Sequence, residues 1–169
     1  MLSQAEREAI DSQARHAAYP RAAVGDALLV VQKSRGWVSD EGVRDVAQAL
    51  GLTAEEVDGV ATFFELVFRK PVGKHVILLC DSVSCWILGE ERILDHARKS
   101  LGVAPGDTTS DGQFTLLPVG CLGACDQGPA MMIDGELFVE LTPERFDAIV
   151  RRYRAPSGTP DATGVGGAA

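Results

Sequence analysis

The sequence predicts an α+β chain in which a small N-terminal helical bundle is followed by an α/β layer. Two observations predict it. In the first part of the chain, apolar residues recur at helical spacing between residues that start and stop helices. Further on the period changes to short apolar runs, Val76 to Leu79 and Phe114 to Val119, with helical sequence between and after them. Pro71-Val72-Gly73 marks the change, which divides 1–70, the bundle, from 71–155, the α/β domain. Residues 156–169 are rich in Pro, Gly and Ala without apolar periodicity and are expected to be disordered.

The elements follow in order. Ser3 to Ala17 reads as a helix with Ile10, Ala14 and Ala17 on one thin apolar face. Tyr19-Pro20 breaks it, and Pro20 is an early position of a second helix carrying Val24, Leu28 and Val31, closed by Gly36. Ser39 is a suitable N-cap for a third, with Asp40 and Glu41 at the positive end of its dipole and Val43, Val46, Ala47 and Leu50 inward, up to Gly51. Thr53-x-x-Glu56 is a capping box opening a fourth, which runs towards Ala61. Phe63, Phe64, Leu66, Val67 and Phe68 are too apolar for a free linker and are expected to pack the bundle against the next domain, with a partner-facing patch as the alternative; Trp37 is expected in a core. Beyond the boundary come strand Val76 to Cys80, one helix from about Ser84 to Leu101 with Ile87, Leu94, Ala97 and Leu101 on its face, a polar connection to Gly112, and strand Phe114 to Val119. A hairpin over Met131 to Val139 turns at Asp134-Gly135, and Thr142-Pro143-Glu144 caps a last helix with Phe146, Ile149, Val150 and Tyr153 inward.

Composition narrows the function. Sixteen Lys plus Arg against twenty-four Asp plus Glu give a net charge of −8, which argues against nucleic acid and for a cytoplasmic protein. The longest apolar runs fall far short of the roughly 20 residues that span a bilayer, and Met1-Leu2-Ser3-Gln4-Ala5-Glu6 opens no apolar signal core. Neither a Gly-x-Gly-x-x-Gly between strand and helix nor a Gly-x4-Gly-Lys-Ser/Thr occurs, so nucleotide handling falls to another chain.

The chemistry lies in four cysteines, all the chain has: Cys80 and Cys85 at the end of the first strand, then, after an interval of 35 residues, Cys121 and Cys125 at the end of the second. Disulfides would need an oxidising compartment, and the missing Cys-x-x-Cys argues against thiol–disulfide exchange. Structural zinc usually takes pairs separated by two residues. Here the gaps are four and three. They suit a larger object such as a two-iron, two-sulfide rhomb, each iron taking its own pair, with zinc as the alternative. His16, His75 and His96 are read as solvated or structural. Asp81 follows the first cysteine and Asp126 the fourth, so both carboxylates are candidates for tuning the centre's potential; Asp81 could instead cap the helix near Ser84, which leaves Asp126 the stronger.

The flanks of the cysteines carry a resemblance. Gly59-Val60-Ala61-Thr62-Phe63-Phe64, Lys70-Pro71-Val72-Gly73-Lys74-His75, Cys80-x4-Cys85, Thr108-Thr109-x-Asp111-Gly112-x-Phe114-Thr115-Leu116 and Cys121-Leu122-Gly123-Ala124-Cys125 occur in order. Together they closely resemble the thioredoxin-like [2Fe–2S] subunit of bacterial NADH:quinone oxidoreductase, respiratory complex I, from about Tyr19 to Tyr153. Phe64, where Tyr is common, and Gly120, where many members carry an acid, depart from the pattern without touching a ligand.

The resemblance names the α/β layer thioredoxin-like and implies that Cys80, Cys85, Cys121 and Cys125 hold one [2Fe–2S] cluster. The implied role is one-electron transfer with no catalytic residue and no complete active site on this chain. FMN and NADH would sit on the adjoining flavin- and NADH-binding subunit, with another iron–sulfur subunit of complex I as a further partner, and the chain would be peripheral to the inner membrane through the complex. The alternatives are the iron–sulfur subunit of an NAD-linked hydrogenase or formate dehydrogenase, and a zinc-stapled scaffold without redox activity.

Overall fold

A computed structural model describes residues 1–154, so the expected tail lies outside the described residues. The described chain groups into two compact units, one of Met1–Val76 with Thr108–Thr115, the other of Ile77–Asp107 with the described residues from Leu116.

The first unit is built on four helices: α1 (Gln4–His16), α2 (Val24–Arg35), α3 (Asp40–Leu50) and α4 (Ala54–Phe63). A single 3-10 turn, Pro20–Ala23, leads into α2, with Pro20 at its first position, where the missing N–H forfeits no helical bond. Caps set most other limits. Ser39 accepts from the Gly42 N–H, Thr53 and Glu56 form the reciprocal box, and Gly36 and Gly51 close α2 and α3. Ser3 and Glu6 make a second capping box at the head of α1. The core is formed by Ile10, Val24, Leu28, Val31, Val38, Val46 and Val57, all fully buried. Each such aliphatic side chain contributes about 1.5–3 kcal/mol of transfer free energy.

The stretch after α4 departs from expectation. Phe63, Phe64 and Leu66 are 79%, 52% and 49% exposed, and only Val67 turns inward. Backbone bonds decide this: the Gln32 amide donates to the Leu66 carbonyl at 2.9 Å and accepts from the Phe68 N–H at 2.6 Å, while the Val38 N–H donates to the Phe68 carbonyl at 2.8 Å. With the main chain bound to the bundle at Leu66 and Phe68, Val67 faces inward and Leu66 outward. Trp37 is half-buried rather than a core residue. The Thr-Thr-x-Asp-Gly segment forms a tight turn, not a plain polar connection: Thr108 bridges Thr115 antiparallel, and Asp111 accepts from the Gln113 N–H at 3.0 Å.

The second unit carries the body of a four-stranded sheet, ordered β2 (Phe114–Val119), β1 (His75–Cys80), β3 (Met131–Ile133), β4 (Glu136–Phe138). The His75 N–H reaches the Gln113 carbonyl and the Asp81 N–H the Val119 carbonyl, the same offset at both ends, so β1 and β2 run parallel. β3 pairs antiparallel with β1, Leu78 opposite Met132, and with β4 across the turn at Asp134-Gly135, where both residues have positive φ.

Between β1 and β2 the single expected helix is two, α5 (Val83–Ile87) and α6 (Glu90–Leu101). Gly89, at φ +97°, breaks them apart. Ile93, Ala97 and Leu101 are therefore the buried face, and Ile87, expected on it, is 71% exposed. Helix α7 (Pro143–Arg154) starts where the Thr142 hydroxyl accepts from the Arg145 N–H and buries Phe146, Ile149 and Val150; it is tied to α6 by Asp147, which accepts from the Ser100 hydroxyl and bonds the His96 ring, both at 2.9 Å. None of the described helices is long and apolar enough to cross a membrane.

Candidate metal centre

Parallel strands put both cysteine loops at the same end of the sheet. Cys80 is the last residue of β1, its N–H donating to the Ala130 carbonyl at 3.0 Å, and Cys85 lies one turn later in α5. Cys121 and Cys125 follow β2 in a loop that turns back before β3. Cys80 and Cys85 are each 2% exposed, packed with Ala130 under Leu122, Ala124 and Val139, whereas Cys121 and Cys125 are exposed.

The thiols come as two pairs. Cys121 Sγ lies 3.2 Å from Cys125 Sγ, and Cys80 and Cys85 share one buried cluster with Ala130. The pairs also feel each other, for Cys125 interacts electrostatically with both Cys80 and Cys85. Among the described residues, no three or more His, Cys, Asp or Glu side chains are gathered as a site for a single ion. Two thiolates about 2.3 Å from one tetrahedral ion stand about 3.8 Å apart, about 0.6 Å more than the exposed pair shows. A small rotation of an exposed side chain makes up that difference. The donor set, two pairs of soft ligands from neighbouring loops, fits a cluster in which each iron takes one pair.

Proton affinities follow the surroundings. Burial, then the neighbouring Cys80 thiol, pushes the Cys85 thiol up to about 11. Within the exposed pair, the bond between the sulfurs lowers Cys121, helped by the Gly123 N–H at 3.3 Å, and raises Cys125. The pair thus releases its first proton early and its second late. Bound iron would replace the protons these sulfurs otherwise keep.

Several neighbours of the thiols escape a reading of the sequence. The main chain at Ala130 acts to lower the Cys85 thiol and the Ser84 side chain to lower Cys125, each against larger upward effects. Gly128 passes so close that a Cβ there would stand 3.1 Å from Cys85 Sγ and 2.9 Å from Leu88 Cδ1. The one signal for it in the sequence is Gly128-Pro129 following the fourth cysteine. Around Cys85 the surface is apolar, with Val83, Trp86 and Leu88 at least half exposed. Asp81 does not cap α5: Ser82 holds that position, without a side-chain bond. Asp126 is exposed, its carboxylate 3.4 Å from the Gln127 amide. His96 is engaged with Asp147, and the His75 ring lies 5.5 Å from that of Phe114.

The sequence matches the thioredoxin-like [2Fe–2S] ferredoxin family over residues 10–154. An NADH-quinone oxidoreductase subunit of Escherichia coli K12 is 52% identical over 153 residues, covering 90% of this chain and 92% of the relative. The protein of the same name from Pseudomonas aeruginosa is 45% identical with the same coverage. Among solved structures, an NAD+-reducing [NiFe]-hydrogenase in the H2-reduced state superposes with a TM-score of 0.65 at 24% identity, over 76% of this chain and 22% of the hydrogenase chain. That likeness concerns the fold.

Proposed function

The chain belongs to the thioredoxin-like [2Fe–2S] ferredoxin family, and from that premise we propose that it is the electron-carrying [2Fe–2S] subunit of an NADH–quinone oxidoreductase. Cys80 and Cys85 would hold one iron of a [2Fe–2S] cluster, and Cys121 and Cys125 the other. The observation that carries this reading is the meeting of two thiol pairs at one end of the sheet, in a chain that aligns with 92% of a subunit of that complex. When bound, such a cluster takes up and returns single electrons without making or breaking bonds to a substrate.

The residues of the chain divide the remaining work. Cys80 and Cys85 form the buried side, where packing by Ala130, Leu122 and Val139 keeps water from the sulfurs. Cys121 and Cys125 form the exposed side, the shorter route for an electron from outside. The Gly123 N–H and the main chain at Ala130 offset part of the negative charge on the thiolates. The electron would come from FMN reduced by NADH on the adjoining flavin- and NADH-binding subunit, with another iron–sulfur subunit as a second neighbour; the exposed Val83, Trp86 and Ile87 beside Cys85 suit such a partner. Residues 1–70 would serve docking, consistent with exposed Phe63, Phe64 and Leu66, and the chain would reach the cytoplasmic face of the membrane through the complex.

Anaerobic purification of the full chain followed by metal, sulfide and EPR analysis tests the reading. About two irons and two labile sulfides per chain, with a rhombic EPR signal on reduction, are expected for this cluster type. One zinc with neither iron nor labile sulfide overturns it.

A further inference from the structure

We propose that the exposed thiol pair is a reversible redox site: before a cluster is loaded, Cys121 and Cys125 close to a disulfide on meeting a small disulfide oxidant such as oxidised glutathione, and that bond bars iron until it is reduced. The consequence for iron rests on the ligand reading above, whereas the bond itself does not. All four cysteines are free thiols, but their surroundings differ. Cys121 Sγ and Cys125 Sγ stand 3.2 Å apart, between the spacing of about 3.8 Å for two ligands of one ion and the bond of about 2.05 Å in a disulfide. Closing the bond therefore asks for about 1.2 Å of movement, shared by two exposed side chains.

The loop explains the contact. Only Leu122, Gly123 and Ala124 lie between the two cysteines, and Gly123, at φ +86°, turns that span back on itself. The missing Cys-x-x-Cys speaks against thiol–disulfide exchange in the sequence, yet this turn brings the sulfurs of the longer spacing together. Exposure then selects the pair. Cys80 and Cys85 are each 2% exposed and packed with Ala130 under Leu122, Ala124 and Val139, which keeps a dissolved oxidant from them. A disulfide closing so short a loop gains little from chain entropy, and one at the surface is open to thiols, so the bond is labile. In a reducing compartment such a bond is transient and redox-sensing rather than structural.

The exchange balances in two steps. One sulfur of the pair, as thiolate, attacks the oxidant's disulfide and releases a first reduced glutathione; the other attacks the mixed disulfide and releases the second. One S–S bond breaks and one forms, two electrons pass from the cysteines to glutathione, and the two thiol protons end on the two glutathione thiols. Two of the four ligands are thereby withdrawn.

The test uses the full chain, reduced and freed of metal by a chelator under argon, treated with excess oxidised glutathione, alkylated in denaturant and digested with trypsin. Trypsin separates the pairs, since no Lys or Arg lies between Lys99 and Arg145 or between Lys74 and Arg92. Peptide 100–145 is expected to be two hydrogens lighter than its thiol form and unalkylated, and peptide 75–92 doubly alkylated. Cys125→Ser is expected to stop at a glutathione adduct on Cys121. Offered ferrous iron and sulfide without added thiol, the oxidised parent should bind at least about tenfold less iron than the reduced parent, because the cluster needs all four ligands, and dithiothreitol should restore the binding. A doubly alkylated peptide 100–145, a parent that stops at the glutathione adduct, or oxidation of peptide 75–92 to the same extent overturns the site. Full iron in the oxidised, linked parent overturns the block. A reduced parent that takes up no [2Fe–2S] cluster overturns the ligand reading, while the peptide masses still decide the disulfide.

Discussion

Glu6 in the helical unit and Cys85 in the sheet unit are comparably buried, 5% and 2% exposed, yet their acidities move in opposite directions. The Glu6 carboxylate accepts from the Arg35 guanidinium at 2.8 and 3.1 Å, from the Ser3 N–H at 2.7 Å, and from the Ser34 hydroxyl. The Arg35 guanidinium beside it holds the carboxyl far below the usual carboxylate range, and Arg35 also reaches Asp45 at 3.1 Å. Burial instead pushes the Cys85 thiol up to about 11, and the charged neighbours that act on it are the thiols Cys80 and Cys125. A buried anion is stable only where a countercharge meets it. The helical unit carries its own in Arg35, whereas the thiol site calls for a cation from outside the polypeptide.

Removing a ligand should break that contrast most completely. Cys85→Ala is expected to abolish at least about nine-tenths of the bound iron and labile sulfide while the helical unit keeps its far-UV circular dichroism, because two-iron clusters of this type need all four ligands. Full iron content would remove Cys85 from the ligand set.

Removing the internal countercharge comes next. Glu6→Gln breaks the carboxylate–guanidinium pair, and because Arg35 is partly exposed the expected loss is about 2 kcal/mol, below that for a fully buried pair. Urea unfolding of the variant should show it with iron content unchanged. The sign with pH is fixed by the direction of the shift. A carboxyl whose folded pKa is lowered adds stability that is fully present above its unfolded value, about 4.3, and is lost as pH falls from there towards the folded value. The parent should therefore lose more stability than Glu6→Gln on going from about pH 6 to about pH 3, and parallel losses would show that the pair is not the source.

A smaller effect is expected of crowding the buried thiol. Gly128→Val puts carbon where Leu88 and the Cys85 sulfur already stand, at an overpacking cost of about 1–3 kcal/mol, and should lower cluster occupancy severalfold under limiting iron. Equal occupancy would mean that the loop yields without displacing Cys85. The smallest change should come from Asp126→Asn. This carboxylate is exposed, and at about 6 Å in a water-like dielectric one charge opposes the added electron by about 0.7 kcal/mol. The midpoint should become slightly more positive, with the difference vanishing at high salt; a salt-independent shift would point to a structural cause instead.

What the sequence determined by itself was local. Ser39, Thr53 with Glu56, Gly36 and Gly51 set helix limits, and Asp134-Gly135 set the hairpin, because caps and turns are bonds within about four residues of one another. The four cysteines and their likeness to a family were equally plain, since ligand type and spacing are written in the chain. Tertiary structure decided the rest. Gly89 could have been carried within one long helix, and the break there exposes Ile87 and makes Ile93 the inward residue. Phe63, Phe64 and Leu66 had the composition of buried residues but stand exposed, with the bonds of Gln32 and Val38 at Leu66 and Phe68 holding the chain so that Val67 faces inward and Leu66 outward. Gly128 gained its place beside Cys85 only because parallel pairing of β1 and β2 brings together loops some forty residues apart in sequence. No periodicity or cap encodes such a meeting, because its energy comes from contacts that exist only once the chain has crossed back on itself.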